Sequence, residues 1–245
     1  MSLEVGGSRR KGTGMSNVES WDRAAFRYQE EYQPQADYVP YGPGLPTDAQ
    51  LRLLPACAGK RVLELGCGAG QAAVAFARRG ARIIAVDSSP EQVAAARRLA
   101  DRLGAKVDFR VADLTELAFV MAESIDVAFS AATLDYVENL GRVLRAVHRV
   151  LEPHGAFVFT LEHPFTSCLE AAGAGQPVIA RRYGDPAPIK VERYGESFLL
   201  YPRTVAEVIG SLTRAGFGLE ALAEPTPTGS WTPSGTVWRA RKAGR

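Results

Sequence analysis

The chain has 245 residues and a mass of 26.4 kDa, which suits one large α/β domain better than two small ones. Its apolar residues come in short runs such as AAVAFA and RIIAVD, none near the ~20 that a bilayer span requires, so no membrane partner is expected. The net charge of +2 is carried by the ends, residues 1–15 and 236–245, which leaves an acidic body and speaks against a nucleic acid gripped by the folded surface.

Residues 1–15 are rich in Gly and Ser, lack the apolar stretch of a secretory signal, and are expected to form a disordered tail. Three scattered cysteines, Cys57, Cys67 and Cys168, are too few for a disulfide framework and point to a reducing cytoplasm. Ser16 with Glu19 makes a capping-box pattern ahead of a helix that Pro34 stops. A Pro/Gly/Tyr-rich link over 38–46 leads to Thr47 and Gln50, a second capping box, and a short helix through Leu54. KRVLELG then reads as a buried strand ending in glycines, Gln71 to Arg79 as a helix stopped by Gly80, and ARIIAVD as a second strand.

Ser89, Pro90 and Gln92 offer a cap, a proline at the first helical position and a capping-box partner for a helix that ends at Gly104. VDFRVAD and SIDVAFS read as strands; Leu140, Val143, Leu144, Val147 and Leu151 recur at helical spacing between Asn139 and Pro153. AFVFTLE is the next strand. Residues 162–203 lose any sustained period and are expected as an irregular, substrate-side excursion. Thr204 and Glu207 cap a last helix, followed by strands in LEALAE and TVWRARK. This alternation predicts a doubly wound α/β fold, a mostly parallel sheet with helices on both faces. It is read as one domain over 16–245, with a helical cap over 16–55.

Ligands of such sheets bind beyond the carboxyl ends of the strands. The first strand ends in Glu64-Leu65-Gly66-Cys67-Gly68-Ala69-Gly70, where alternate glycines permit a tight turn and close approach of a ligand to the backbone. The second ends in Asp87, a carboxylate able to accept both hydroxyls of a ribose, and the third in Asp113 on the same rim.

VLELGCGAGQ, AVDSS, VADLTEL, SIDVAFSAATLDYV and RVLEPHGAFVFTLEHPF, in this order over most of residues 60–165, resemble the successive motifs of a class I S-adenosylmethionine-dependent methyltransferase. The resemblance implies a seven-stranded Rossmann-like sheet with an antiparallel last strand. It also implies S-adenosyl-L-methionine as cofactor and S-adenosyl-L-homocysteine as product. By resemblance Gly66, Gly68 and Gly70 back the methionine end, with Glu64 supporting the loop and Cys67 within it. Asp87, with Ser88 beside it, holds the ribose; Asp113 and Leu114 face the adenine; Ala131 lies near the sulfonium. The first helix resembles a cap folded over the cofactor, which makes Tyr28, Tyr32 and Tyr41 candidate contacts, with packing on the sheet as the other reading. One departure is Pro153-His154-Gly155, where the family has Pro-Gly-Gly.

Two other readings stay open at this point. A nicotinamide-dependent dehydrogenase would need glycine where Gln71 stands. A catalytically silent cofactor- or partner-binding protein would share every motif. For a methyltransferase the acceptor is expected to be a small molecule, since Ala131-Ala132-Thr133 replaces the tetrapeptide found in enzymes acting on nucleobase or glutamine amino groups. His163, beyond a core strand, is the candidate catalytic base, its other reading a histidine that anchors the loop. Asp135 and Tyr136 are substrate-side candidates, and no metal-ligand spacing is found.

Overall fold

The computed structural model describes residues 16–31, 36–171 and 177–244. The expected tail over 1–15, together with Tyr32 and Pro34, lies outside them. A seven-stranded sheet has the order β10-β11-β5-β4-β1-β2-β3. Its central strands are β1 (Arg61–Leu65), β2 (Arg82–Asp87), β3 (Asp108–Val111), β4 (Ile125–Ser130) and β5 (Leu151–Leu161). Neighbouring pairs among these five run parallel, whereas β11 (Thr236–Lys242) is antiparallel to both β5 and β10 (Phe217–Ala223). The antiparallel last strand is as expected. Because the chain moves outward from β1 through β3 and then returns to the other side of β1, strand order reverses between β1 and β4. That switch point is where a crevice must open above the strand ends.

Helices α3 (Gln71–Arg78) and α4 (Pro90–Leu103) cover one face, and α5 (Leu140–Val150) and α6 (Val205–Arg214) the other. Local sequence explains the boundaries. Ser89 accepts the Gln92 amide at the start of α4, Pro90 sits where no amide is needed, and Gly104 turns left-handed at its end. Thr204 and Glu207 form the reciprocal capping box of α6. On α5 the stripe Leu140, Val143, Leu144 and Val147 is fully buried, each residue contributing about 1.5–3 kcal/mol of hydrophobic burial.

Three expectations change. The helix α2 (Asp48–Leu51) stops short of Leu54 because Leu54 precedes Pro55, which disfavours helical backbone, and its amide turns to the Asp48 carboxylate at 2.9 Å. Helix α5 ends before Pro153, and the exposed Pro153-His154 segment interrupts strand β5 instead of preceding it. There His154 takes the left-handed backbone (φ 64°) that a glycine would adopt without strain. The described residues of 162–203, where the sequence shows no sustained period, hold two antiparallel pairs, β6 (Leu169–Ala171) with β7 (Pro177–Ile179) and β8 (Ile189–Arg193) with β9 (Glu196–Leu200).

The first helix, α1 (Asn17–Glu31), lies across the switch point against β9 and α4. Asn17 donates to the Tyr136 and Leu199 carbonyls and accepts the Leu199 amide, and the Ser20 hydroxyl donates to the Ser197 carbonyl. Asp22 accepts the Ser89 hydroxyl and the Glu91 amide, so a carboxylate of α1 meets the positive end of α4. Among the described residues no helix is long and apolar enough to cross a membrane.

Candidate functional site

The glycine turn after β1 is tied down by its own backbone. The Gly66 and Cys67 amides both donate to the Val86 carbonyl, at 2.8 and 3.0 Å. Gly66, Gly68 and Gly70 all have positive φ, and each is required for its own reason. A Cβ on Gly66 would stand 2.2 Å from the Thr133 side chain, and one on Gly70 2.8 Å from Ala96. A Cβ on Gly68 would make ordinary van der Waals contact with Tyr28 at 3.8 Å and Gln92 at 3.9 Å, so at this glycine only the left-handed backbone, and not crowding, disfavours a side chain. Its amide donates to one Asp87 oxygen and the Ser89 amide to the other, both at 2.9 Å. The two strand ends are thereby locked to each other.

Above them lies a cavity of about 630 Å³, inside the range of small-molecule and cofactor sites. The sheet side of its wall brings together Glu64, Gly66, Cys67 and Gly68 with Asp87, Ser88, Asp113 and Leu114, and closes with Ala131. Tyr28 and Tyr136 join the wall from above. Asp113 uses one oxygen to hold the Thr115 amide and hydroxyl, both at 2.7 Å.

Four candidates stand elsewhere. Gly70 starts α3 and serves the close packing of that helix against Ala96 and Phe109. Tyr41 is fully buried beneath the cavity floor, packed on Phe129 and donating to Asp48 at 2.6 Å, which is the packing reading of that residue. Asp135 is turned away from the cavity and accepts the Glu162 amide with both oxygens at 3.1 Å. Burial, then the neighbouring Glu162 charge, push its carboxyl up to about 7, against the pull of that amide and of Arg203 and Arg193.

His163 is likewise outside. Its Nδ1 accepts the Phe165 amide at 3.2 Å, which leaves the proton on Nε2, 2.8 Å from Glu224. Both ring nitrogens are thus engaged in holding the loop after β5 to the loop after β10. The chain has three histidines, and neither His148 nor His154 reaches the cavity either.

The sequence reading missed Asn17, Trp21, Gln92 and Thr133, all on the cavity wall. Trp21 packs edge-on against Tyr28 and Tyr136, with centroids 5.4 and 5.1 Å apart, and forms the apolar roof with Val18 and Leu199. Its signal was present: Asn17, Trp21 and Tyr28 share one face of α1 by their spacing. Tyr136 is fixed from behind by Arg193, which donates to its hydroxyl at 2.9 Å while pairing with Glu162. Nothing in the sequence flagged that Arg193 of β8 would reach this turn.

The electrostatics of the wall are acidic. Glu64 is buried, and burial, then the Asp87 charge, lift its carboxyl up to about 8 against the pull of the Ala73 amide. Burial also raises Asp87, against its backbone hydrogen bonds and with a small push from Asp22. The Cys67 thiol is pushed up by burial and then by both carboxylates, so it is an inert part of the wall. Among the described residues, two buried side-chain atoms lack a hydrogen-bond partner, Glu64 Oε2 and Gln92 Oε1. Both belong to residues lining this cavity, and both are acceptors. A ligand with several donors and positive charge fits such a wall, and an adenosyl sulfonium amino acid has both. No group of three or more His, Cys, Asp or Glu side chains among the described residues is placed to hold a metal ion.

Residues 63–159 match the family model described as a methyltransferase domain. The chain is 31% identical over 166 residues to a ubiquinone biosynthesis O-methyltransferase of Xanthomonas axonopodis pv. citri, covering 68% of this chain and 69% of that one. It is 29% identical over 187 residues to an uncharacterised protein of Haemophilus influenzae, covering 71% and 74%. An S-adenosylmethionine-dependent methyltransferase structure from Mesorhizobium loti superposes with a TM-score of 0.70 at 30% identity, covering 79% of this chain and 96% of that one.

Proposed function

The chain belongs to the class I S-adenosylmethionine-dependent methyltransferases, and on that premise we propose that it methylates a small, partly apolar molecule held under α1. One observation carries the acceptor reading: the roof formed by Val18, Trp21, Tyr136 and Leu199 faces the glycine turn and the strand-end carboxylates across a single cavity. Bound S-adenosylmethionine supplies an electrophilic methyl group on a positively charged sulfur that departs as a neutral thioether.

In this reading Asp87 accepts the ribose hydroxyls, Asp113 and Leu114 border the adenine, and Gly66 and Gly68 present backbone to the methionine end. Ala131 borders the sulfur. The chain's own contribution is alignment: Trp21 and Tyr136 hold an acceptor by its faces, and α1 with the β8–β9 hairpin keeps water out. Such positioning supplies up to about 7–11 kcal/mol of a barrier. The name of the Xanthomonas relative supports a small-molecule acceptor and oxygen as the methylated atom.

No imidazole reaches the cavity, so His163 is a loop anchor here. The His163→Ala protein is expected to bind S-adenosylhomocysteine within about twofold of wild type by titration calorimetry, while losing about 1 kcal/mol of stability with its two hydrogen bonds. A loss of binding beyond tenfold would return His163 to the site.

The function itself is tested by incubating enzyme, S-adenosylmethionine and a metabolite extract, and searching by mass spectrometry for products heavier by one CH2. Products that require the enzyme support methyl transfer to a small molecule. Tight calorimetric binding of S-adenosylhomocysteine with no such product would favour an acceptor of another class.

A further inference from the structure

Of the two carboxyl groups on the cavity floor, only one is built to be an anion in the ligand-free protein. Asp87 has a backbone N–H on each oxygen, from Gly68 and Ser89. Glu64 Oε2 has no donor at all, and the residue is 3% exposed. The groups that face Glu64 offer little help. From β2 comes the Asp87 carboxylate, with Asp22 of α1 behind it, and from the turn comes the Cys67 thiol. From α3 comes the Ala73 amide; Tyr28 of α1 and Gln92 of α4 stand across Gly68. Arg142, the basic side chain on the cavity wall, is already paired with Glu116 at 3.2 Å. An unpaired carboxylate buried beside another carboxylate is strongly disfavoured, so the acid form of Glu64 is the stable one.

We propose that Glu64 carries a proton in the free protein and gives it up when the cofactor binds, so that its carboxylate meets the cofactor's ammonium group. The O–H bond of Glu64 breaks, the electron pair stays on the carboxylate, and the proton passes to buffer through the open cavity. Glu64 therefore makes cofactor affinity pH-dependent: binding below the raised carboxyl range must first remove a proton, and binding above it need not. This rests on the cofactor occupying the cavity as described above. The direction of the Glu64 shift agrees with it.

The test is calorimetric titration of the full chain with S-adenosylhomocysteine at about pH 6.5, where the ligand amine is charged, in buffers of low and high ionisation enthalpy. Wild type is expected to release close to one proton per ligand, and its affinity to rise about tenfold per pH unit up to about pH 8. Glu64→Gln, which keeps the shape and an acceptor oxygen, is expected to release close to none and to lose that slope. Equal proton release by the two proteins, or none by wild type, overturns the proposal while leaving the cofactor site intact. Absence of any binding by wild type overturns the site and the proposal together. Should the Gln variant not fold, proton release by wild type decides alone.

Discussion

The Asp87→Ala protein is expected to bind S-adenosylhomocysteine about a hundred- to ten-thousandfold more weakly than wild type in the same titration. Asp87 closes β2 at the rim where strand order reverses, and each of its oxygens keeps a lone pair free beyond its backbone donor. Two hydroxyl groups donating to a carboxylate are each worth about 1.5–3 kcal/mol, and every 1.4 kcal/mol is a factor of ten. A second effect adds to the first, because the Gly68 and Ser89 amides lose their acceptor and the turn loosens. Asp87→Asn is expected to fall between the two proteins. It keeps the shape and one acceptor oxygen, so one of the Gly68 and Ser89 amides keeps its partner while the other faces an NH2 group, and both the turn and the affinity are restored only in part. Wild-type affinity in the Ala variant would remove Asp87 from the ribose site.

Gly66→Ala is expected to be strongly destabilising. The residue needs φ 72°, which costs a Cβ-bearing residue about 1–2 kcal/mol, and the new methyl would overlap Thr133. Overpacking of this kind adds about 1–3 kcal/mol. For a chain of this size the total corresponds to a drop in Tm on the order of 5–15 °C. The displaced Thr133 also carries the loop after β4, through its bonds to the Gly66 and Ala131 carbonyls, so cofactor affinity should fall with stability. Trimming the neighbour in Gly66→Ala/Thr133→Ala is expected to recover only part of the overpacking, because the Thr133 Cβ that alanine keeps still stands 2.6 Å from the new methyl, and to leave the backbone strain. A thermal melt of the single variant matching wild type would show that the turn is softer than its geometry implies.

The residues that could be read from sequence are those whose identity alone dictates backbone. Ser89, Pro90 and Gly104 set both ends of α4, Thr204 and Glu207 start α6, and the acidic ends of β1 and β2 mark the rim. Family motifs extended this to Asp113, Leu114 and Ala131, which the fold brings to the same cavity. The β8–β9 hairpin escaped because its turn is Tyr194-Gly195. Both residues have positive φ, as a two-residue hairpin turn needs, but tyrosine is a poor advertisement for that conformation. Its strands are five residues each, too short for alternation to stand out. His163 misled for a related reason: a position after a core strand places a residue at the rim, yet the direction of its side chain was set by Phe165 and Glu224. Asp22 and Gln92 depend on how α1 docks on α4, a tertiary relation to which neither residue type points.

In the proposed function the acceptor lies under α1 and the hairpin and the cofactor on the strand ends, so the proposal stands on the cofactor occupying the wall from Asp113 to Glu64. Its most direct test is a crystal structure of the full chain with S-adenosylhomocysteine. The account predicts the ribose hydroxyls on Asp87, the adenine beside Asp113 and Leu114, and the homocysteine amine within hydrogen-bond reach of Glu64. Density for the ligand outside this cavity, or inside it with the ribose turned away from Asp87, would contradict it.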